Sequence, residues 1–329
     1  MTKNDLKIVF MGTPYFAVES LRALVEGGYR LAGVVTMPDK PAGRHGSLLQ
    51  PSAVKQYALS HNLPVFQPVK LKDDYFVEQL RALRADLQIV VAFRMLPEVV
   101  WDMPRYGTFN LHASLLPQYR GAAPINWAII HGETVTGVTT FFLTHEIDTG
   151  RIIRQAKLPV AETDDAAIVH DALMRMGARL VTETVDLLIE TNGLIETIPQ
   201  ETLLAGTEDL RPAPKIFIDT CRIDWRQPAA RVYNFIRGLS PSPGAWTEII
   251  NPSGDAVSLK IFASEKRLET HPYPAGVILT DGKNYLDVAV TDGFIRILSL
   301  QLAGKKRMII KDFLNGTKID NGWKIKMIV

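Results

Sequence analysis

An apolar, β-branched run that ends at a glycine and passes straight into a helix-spaced segment constrains this chain more than any other feature. LKIVFMG (6–12) leads into PYFAVESLRALVEGG, with Pro14 at the helix start and a Gly-Gly stop, and that pattern predicts a strand, a turn and a helix. LAGVVTM (31–37) predicts the next strand, PSAVKQYALSHN and DDYFVEQLRALRAD predict helices, and LQIVVAF (87–93) predicts a buried strand. Strands alternating with helices in this way build a parallel, doubly wound α/β sheet. Further on, YGTFNLHASLLP predicts a strand with polar residues at its C-terminal end, and GAAPINWAIIHG a short helix. VTGVTTFFL and GRIIRQAKLPV predict two strands joined by THEIDTG, and residues 164–193 one long helix with Asp164 and Asp165 at its N-terminus.

The pattern changes at LLAGTEDLRPAPK (203–215), a polar stretch with two prolines and no periodicity, which is expected to link two domains, 1–202 and 216–329. Beyond it one helical segment, PAARVYNFIRGL, precedes six short strand candidates separated by Gly, Pro, Asn and Asp, the signature of a small, mostly antiparallel barrel. A length of 329 residues agrees with two domains. Net charge is +2, but residues 1–210 hold 19 Lys and Arg against 24 Asp and Glu, a balance of −5, whereas residues 211–329 hold 18 against 11, a balance of +7. A basic second half is expected to meet a polyanion, unless it is only a solvated face. The single cysteine, Cys221, excludes an internal disulfide, no signal pattern precedes the first strand, and no apolar run approaches membrane-spanning length. A reduced, cytoplasmic protein without a membrane partner is expected.

Asn110 and His112 stand two residues apart and so project to one side of a strand. In open α/β sheets ligands bind beyond the C-terminal strand ends; the alternative is a pair of polar residues making structural hydrogen bonds. MGTP offers one glycine where a dinucleotide loop needs three, which disfavours a nicotinamide enzyme. EIDTG (146–150) carries an Asp-Thr-Gly, yet aspartic proteases need two such carboxylates sharing a proton and this chain has one. The plain alternative for Asp148 is an Asx turn closing onto Gly150. His112, His131, His145 and Glu146 show no recognised metal spacing, so no metal is expected. An amide, an imidazole and a carboxylate together suit acyl transfer without a covalent nucleophile: Asn donates to an oxyanion, His donates a proton or a charged hydrogen bond, and Asp orients the ring.

NLHASLLPQYRGAAPINWAIIHG (110–132), with IDTG downstream and MGTPYFAV at the start, closely resembles the folate-dependent formyltransferases. The resemblance covers nearly the whole chain, including PDKPAGR (38–44), similar to an insertion that contacts tRNA in one branch, and RIDWRQPAARVYNFIRGLSPSPGAW (222–246), similar to the start of that branch's second domain. It implies a Rossmann-like domain followed by an OB-like barrel, with Asn110, His112 and Asp148 as the catalytic set and Ser114, Leu115, Leu116 and Pro117 bordering the folate. VAFRMLP (91–97) is one residue shorter than the family's Ala-Tyr-Gly-x-x-Leu-Pro, and Arg94 falls near the missing glycine. The implied reaction moves a formyl group from 10-formyltetrahydrofolate to the α-amino group of methionine on initiator tRNA, by a monomeric enzyme. Lys40, Arg44, Lys305, Lys306, Arg307 and Lys311 are the expected tRNA contacts. Relatives acting on a ribonucleotide or an amino sugar, a non-catalytic tRNA binder and a formate-releasing hydrolase stay open at this point.

Overall fold

The computed structural model describes residues 1–42, 48–204, 209–320 and 322–327. The chain divides into two compact units. One comprises Met1–Gly121, Thr136–Leu158 and His170–Pro212, the other Ala122–Val135, Pro159–Val169 and Ala213–Val329. Of the stretch expected as a linker, residues 205–208 lie outside the described residues.

In chain order the elements are β1 (Ile8–Gly12), α1 (Tyr15–Glu26), β2 (Leu31–Val35), β3 (Lys40–Ala42), β4 (Leu48–Gln50), α2 (Ala53–Ser60), β5 (Val65–Phe66), α3 (Asp74–Ala82), β6 (Leu87–Val91), α4 (Glu98–Trp101), β7 (Thr108–His112), α5 (Pro124–Ile130), β8 (Val135–Phe142), β9 (Ile152–Pro159) and α6 (Ala166–Glu190). One sheet takes the order β5-β2-β1-β6-β7-β8-β9. Its pairs from β5 to β7 are parallel and β7 runs antiparallel to β8. This is the Rossmann-like, mostly parallel sheet that the alternation predicts. The apolar runs are central strands: every residue of β1 and β6 is buried, which is why they read as continuous hydrophobic stretches. Helix starts follow local chemistry. Ser52 and Asp73 accept hydrogen bonds from the third residue on, Lys55 N and Phe76 N, and Asp165 accepts from Ala167 N and Ile168 N at the head of α6.

Register decides where a ligand meets this sheet. Gly12 pairs with Val91, and Val91 with Leu111, so the loops after β1, β6 and β7 leave one edge together. Leu111 faces α6 at Gly177, where an added Cβ would lie 2.6 Å from a Leu111 methyl carbon. With Leu111 committed to the helix, the alternation of β7 turns Asn110 and His112 to the opposite face.

The second unit holds α5, α7 (Ala229–Gly238), β10 (Ala245–Ile250), β11 (Ala256–Leu268), β12 (Ile278–Thr280), β13 (Leu286–Val290), β14 (Gly293–Leu302), β15 (Met308–Ile309), α8 (Ile310–Gly316) and β16 (Lys324–Ile325). Strands pair in the order β12-β13-β14-β11-β10-β16, with β15 on β14, and all these pairs are antiparallel. A bridge between Val277 and Lys324 ties the two edges and nearly closes the barrel. Inside lie Trp225, Ile236, Ile261, Val288, Ile295 and Phe313; the Trp225 indole N–H donates to Thr247 Oγ at 3.0 Å, so burying it strands no donor. Periodicity does not predict α8, because seven residues, about two turns, are below the window in which helical spacing shows. Packing reveals it, with Ile310, Phe313 and Leu314 buried at helical spacing. The hairpin of β3 and β4, the two-residue β5 and the four-residue α4 escape for the same reason. No helix among the described residues is long and apolar enough to cross a membrane.

Candidate active site

His112 is 6% exposed at the end of β7. Its Nε2 lies 2.8 Å from the Tyr119 carbonyl oxygen. A carbonyl only accepts, so Nε2 carries the hydrogen and the ring's orientation is set by the loop that follows the strand. The Nδ1 edge faces Asp148, 3.8 Å from Oδ2, and the ring stands nearly perpendicular to that of Phe141, with centroids 6.5 Å apart.

Asp148 comes from the turn between β8 and β9, in the left-handed region with φ of 56°. Its carboxylate accepts from the Gly121 N–H at 2.9 Å. The Asx turn onto Gly150 that the local sequence allows is thus replaced by a contact 27 residues away in the chain. Gly150 is required for space: an added Cβ would lie 1.6 Å from the Phe142 carbonyl oxygen.

Gln200, 1% exposed, completes the arrangement. Its Nε2 donates to the carbonyls of Asp148 and Gly150, both at 2.8 Å, while its Oε1 accepts from Arg120 Nη2 at 2.6 Å and Nε at 3.1 Å. Nothing in the sequence around TIPQETL marks Gln200, because its partners come from two distant stretches of chain.

Asn110 shares the face of His112. Its Oδ1 is buried without a hydrogen-bond partner among the described residues. No structural hydrogen bond of the kind a strand-end amide makes therefore reaches its oxygen among the described residues. A buried acceptor left unmade costs about 1–3 kcal/mol, and a bound donor relieves that cost.

The loop after β7 is held from within. Ser114 Oγ donates to the Gln118 carbonyl at 2.7 Å, Thr139 Oγ donates to the Ser114 carbonyl at 2.7 Å, and Gln155 Nε2 donates to the Leu116 carbonyl at 2.8 Å. Ser114, Leu116 and Pro117 are buried and Leu115 is half-buried; the Leu116–Pro117 peptide is cis. Beyond β6, Arg94 donates to the carbonyls of Val69, at 2.8 Å, and Pro68. Burial holds its guanidinium below the ordinary arginine pKa, and its Nε has no partner among the described residues.

Of the basic residues singled out, Lys40 stands exposed at the start of β3, opposite Gln50, and Arg44 lies outside the described residues. In the second unit Lys305, Lys306 and Lys311 are exposed with no ion pair among the described residues. Arg307 is more constrained, donating to Ser299 Oγ at 2.9 Å and lying over the Phe262 ring at 4.7 Å. No group of three or more His, Cys, Asp or Glu among the described residues could hold a metal ion.

Residues 6–185 match the formyl transferase family and residues 215–318 the formyl transferase C-terminal domain. The chain is 71% identical to methionyl-tRNA formyltransferase of Parabacteroides distasonis over 97% of this chain and 98% of that one, and 63% identical to the Bacteroides fragilis enzyme of the same name over the whole of both. Among solved structures it is similar to HypX from Aquifex aeolicus in complex with tetrahydrofolic acid, with a TM-score of 0.61 and 19% identity over 96% of this chain and about half, 48%, of that one. An N-formyltransferase from Helicobacter canadensis in complex with folinic acid and dTDP-3-aminofucose gives a TM-score of 0.62 at 20% identity, over 92% of this chain and 100% of that one. At such identities the likeness concerns the fold alone. Two formyl transferase domains in order, and relatives matched from end to end at this level of identity, make the assignment: the chain belongs to the methionyl-tRNA formyltransferase family.

Proposed function

We propose that this protein transfers the formyl group of 10-formyltetrahydrofolate to the α-amino group of methionine esterified to initiator tRNA, in the cytoplasm, and so supports translation initiation. The observation that carries the catalytic assignment is the Asn110 amide, its Oδ1 without a partner among the described residues, beside the His112 and Asp148 pair. The unprotonated amine attacks the formyl carbon, and the oxygen of that carbonyl becomes an oxyanion. The Asn110 amide N–H donates to it, a bond worth most where charge develops. As the C–N bond to the folate breaks, the proton released by the amine passes to the His112 Nδ1 and Asp148 edge, and a proton returns to the departing folate nitrogen. With its Nε2 hydrogen engaged by the Tyr119 carbonyl, the ring works through Nδ1. The loop of Ser114, Leu115, Leu116 and Pro117 borders the folate in this reading, and the solved relatives that hold folates on the same fold support it.

The test is transfer of labelled formyl to charged initiator tRNA, with free methionine, an amino-sugar nucleotide and glycinamide ribonucleotide as parallel acceptors. Transfer to the charged tRNA alone is expected. Transfer to a small amine, or formate release without an acceptor, overturns the choice of partner.

The acceptor arm of the proposal rests on charge. The balance of +7 over residues 211–329, with Lys305 and Lys306 exposed and without an ion pair among the described residues, suits phosphate contacts, as do Lys40 and Arg44 in the insertion. Each phosphate neutralised contributes about 0.9 to the slope of log affinity against log salt. Replacing Lys305 and Lys306 together by alanine is expected to raise KM for tRNA and to flatten that slope by roughly 1.8, with KM for the folate unchanged. An unaltered slope removes both lysines from the contact.

A further inference from the structure

We infer that Gln200 is a positioning residue for formyl transfer: its side-chain amide, oriented by Arg120, sets the backbone from which Asp148 presents its carboxylate. The inference rests on the reading that Asp148 takes part in the reaction.

The turn that carries Asp148 is tied locally by Thr149 Oγ, which donates to the Glu146 carbonyl at 3.1 Å, and by Thr144, whose hydroxyl meets that carbonyl and the Thr149 hydroxyl, but none of these bonds reaches Asp148 itself. Thr144, His145, Glu146 and Ile147 are exposed, and Asp148 sits at a positive φ, a conformation uncommon outside glycine, though less so for aspartate, that tertiary bonds help to hold. Gln200 supplies that constraint. It donates from one nitrogen to the carbonyls on either side of Thr149, those of Asp148 and Gly150, and so closes the turn at two points. An amide has a donor end and an acceptor end of nearly the same shape, so something must decide which end faces the turn. Arg120 decides it, since a guanidinium only donates and its Nε and Nη2 both point to Oε1. The amide nitrogen is left facing the two carbonyls.

Chain continuity ties the same arginine to the rest of the site. Tyr119, one residue before, accepts from His112, and Gly121, one residue after, donates to the Asp148 carboxylate. The imidazole, the loop after β7, the guanidinium, the buried amide and the carboxylate therefore form one closed circuit. Through it Arg120 and Gln200 hold Asp148 in register with His112 without facing the reacting atoms themselves. A displacement of about 1 Å at a reacting group costs on the order of 100-fold in rate, so a looser turn is expected to appear in kcat.

Gln200→Glu separates this role from packing. The variant keeps the volume and strengthens the contact to Arg120, but it sets a carboxylate oxygen against two carbonyls. Arg120→Lys, which removes the forked donor and frees the amide to rotate, reaches the same circuit from its other end should Gln200→Glu fold poorly. Steady-state kinetics with 10-formyltetrahydrofolate and charged initiator tRNA, measured for each variant alone and combined with Asp148→Ala, give the readout. A loss of kcat of about 10-fold or more, KM for both substrates within about 2-fold, and no further loss in the Asp148→Ala background are expected. A kcat for Gln200→Glu and Arg120→Lys equal to that of the unaltered protein, with Asp148→Ala impaired, overturns the inference and leaves the catalytic reading standing. Equal losses with and without Asp148 overturn it as well, since the amide would then act through another group. An Asp148→Ala variant of undiminished kcat overturns the reading beneath it.

Discussion

Asn110→Ala is expected to lower kcat by on the order of 100-fold, the usual consequence of removing one oxyanion donor, and to leave the thermal midpoint nearly unmoved. The two halves of this expectation come from one fact. Most half-buried amides hold neighbouring backbone through their hydrogen bonds, and deleting such an amide strands a partner at a cost of about 1–3 kcal/mol. Asn110 strands no donor, since its Oδ1 has no partner among the described residues. Its removal takes away an unmet acceptor from the free protein and a donor from the transition state. Steady-state kinetics beside a melting curve distinguish the outcomes: a large fall in midpoint with kcat preserved in the folded fraction makes Asn110 a structural residue and sinks its catalytic role. Asn110→Asp sharpens the test, since a carboxylate there repels the developing oxyanion that the amide attracts.

Gly150→Ala is the second substitution with a large expected effect, and its cause is space. An alanine Cβ would stand 1.6 Å from the Phe142 carbonyl oxygen and 2.8 Å from its carbon, so the two stretches of chain must part by about 1.8 Å before reaching the 3.4 Å of ordinary contact. They are joined there by the Phe142 N–H, which donates to the Arg151 carbonyl at 3.1 Å, and the strain therefore passes into the turn that holds Asp148. Rate losses on the order of 100-fold or more follow from a displacement of that size at a reacting group. Gly316→Ala is the control, since an added Cβ there meets nothing within 4 Å, and its activity is expected to match that of the unaltered protein. Equal activity in Gly150→Ala would mean that the position of Asp148 is immaterial to transfer.

The fold was legible where period and length are strong. The buried runs 6–12 and 87–93 became the central strands β1 and β6 because a strand covered on both faces has no polar alternation to hide it, and the long segment from 164 became α6 with Asp165 as its cap. The barrel strands were legible from the spacing of their turn residues. What escaped was short. α8 spans seven residues, and only the burial of Ile310, Phe313 and Leu314 against the barrel makes a helix of them. The hairpin of β3 and β4 has three residues in each strand.

The site divides in the same way. Asn110 and His112 could be paired from the sequence because a strand puts every second residue on one face, a rule that needs no knowledge of the rest of the chain. Asp148 is marked in the sequence by Asp-Thr-Gly, but local chemistry offers it a turn onto Gly150, whereas the fold brings in the Gly121 N–H as its donor. Gln200 gave no signal at all. Its function depends on four hydrogen bonds to three residues that lie between 50 and 80 positions away, and a residue defined wholly by long-range partners leaves no period and no motif. The sequence by itself determined which segments are strands and helices, which strand end carries an amide and an imidazole, and which half of the chain is basic, since these follow from periodicity and charge within short windows. Only the tertiary structure decided which groups hold Asp148, which hydrogen of His112 is already engaged and which lysines are unpaired, because hydrogen bonds and ion pairs are settled by distances that chain order does not encode.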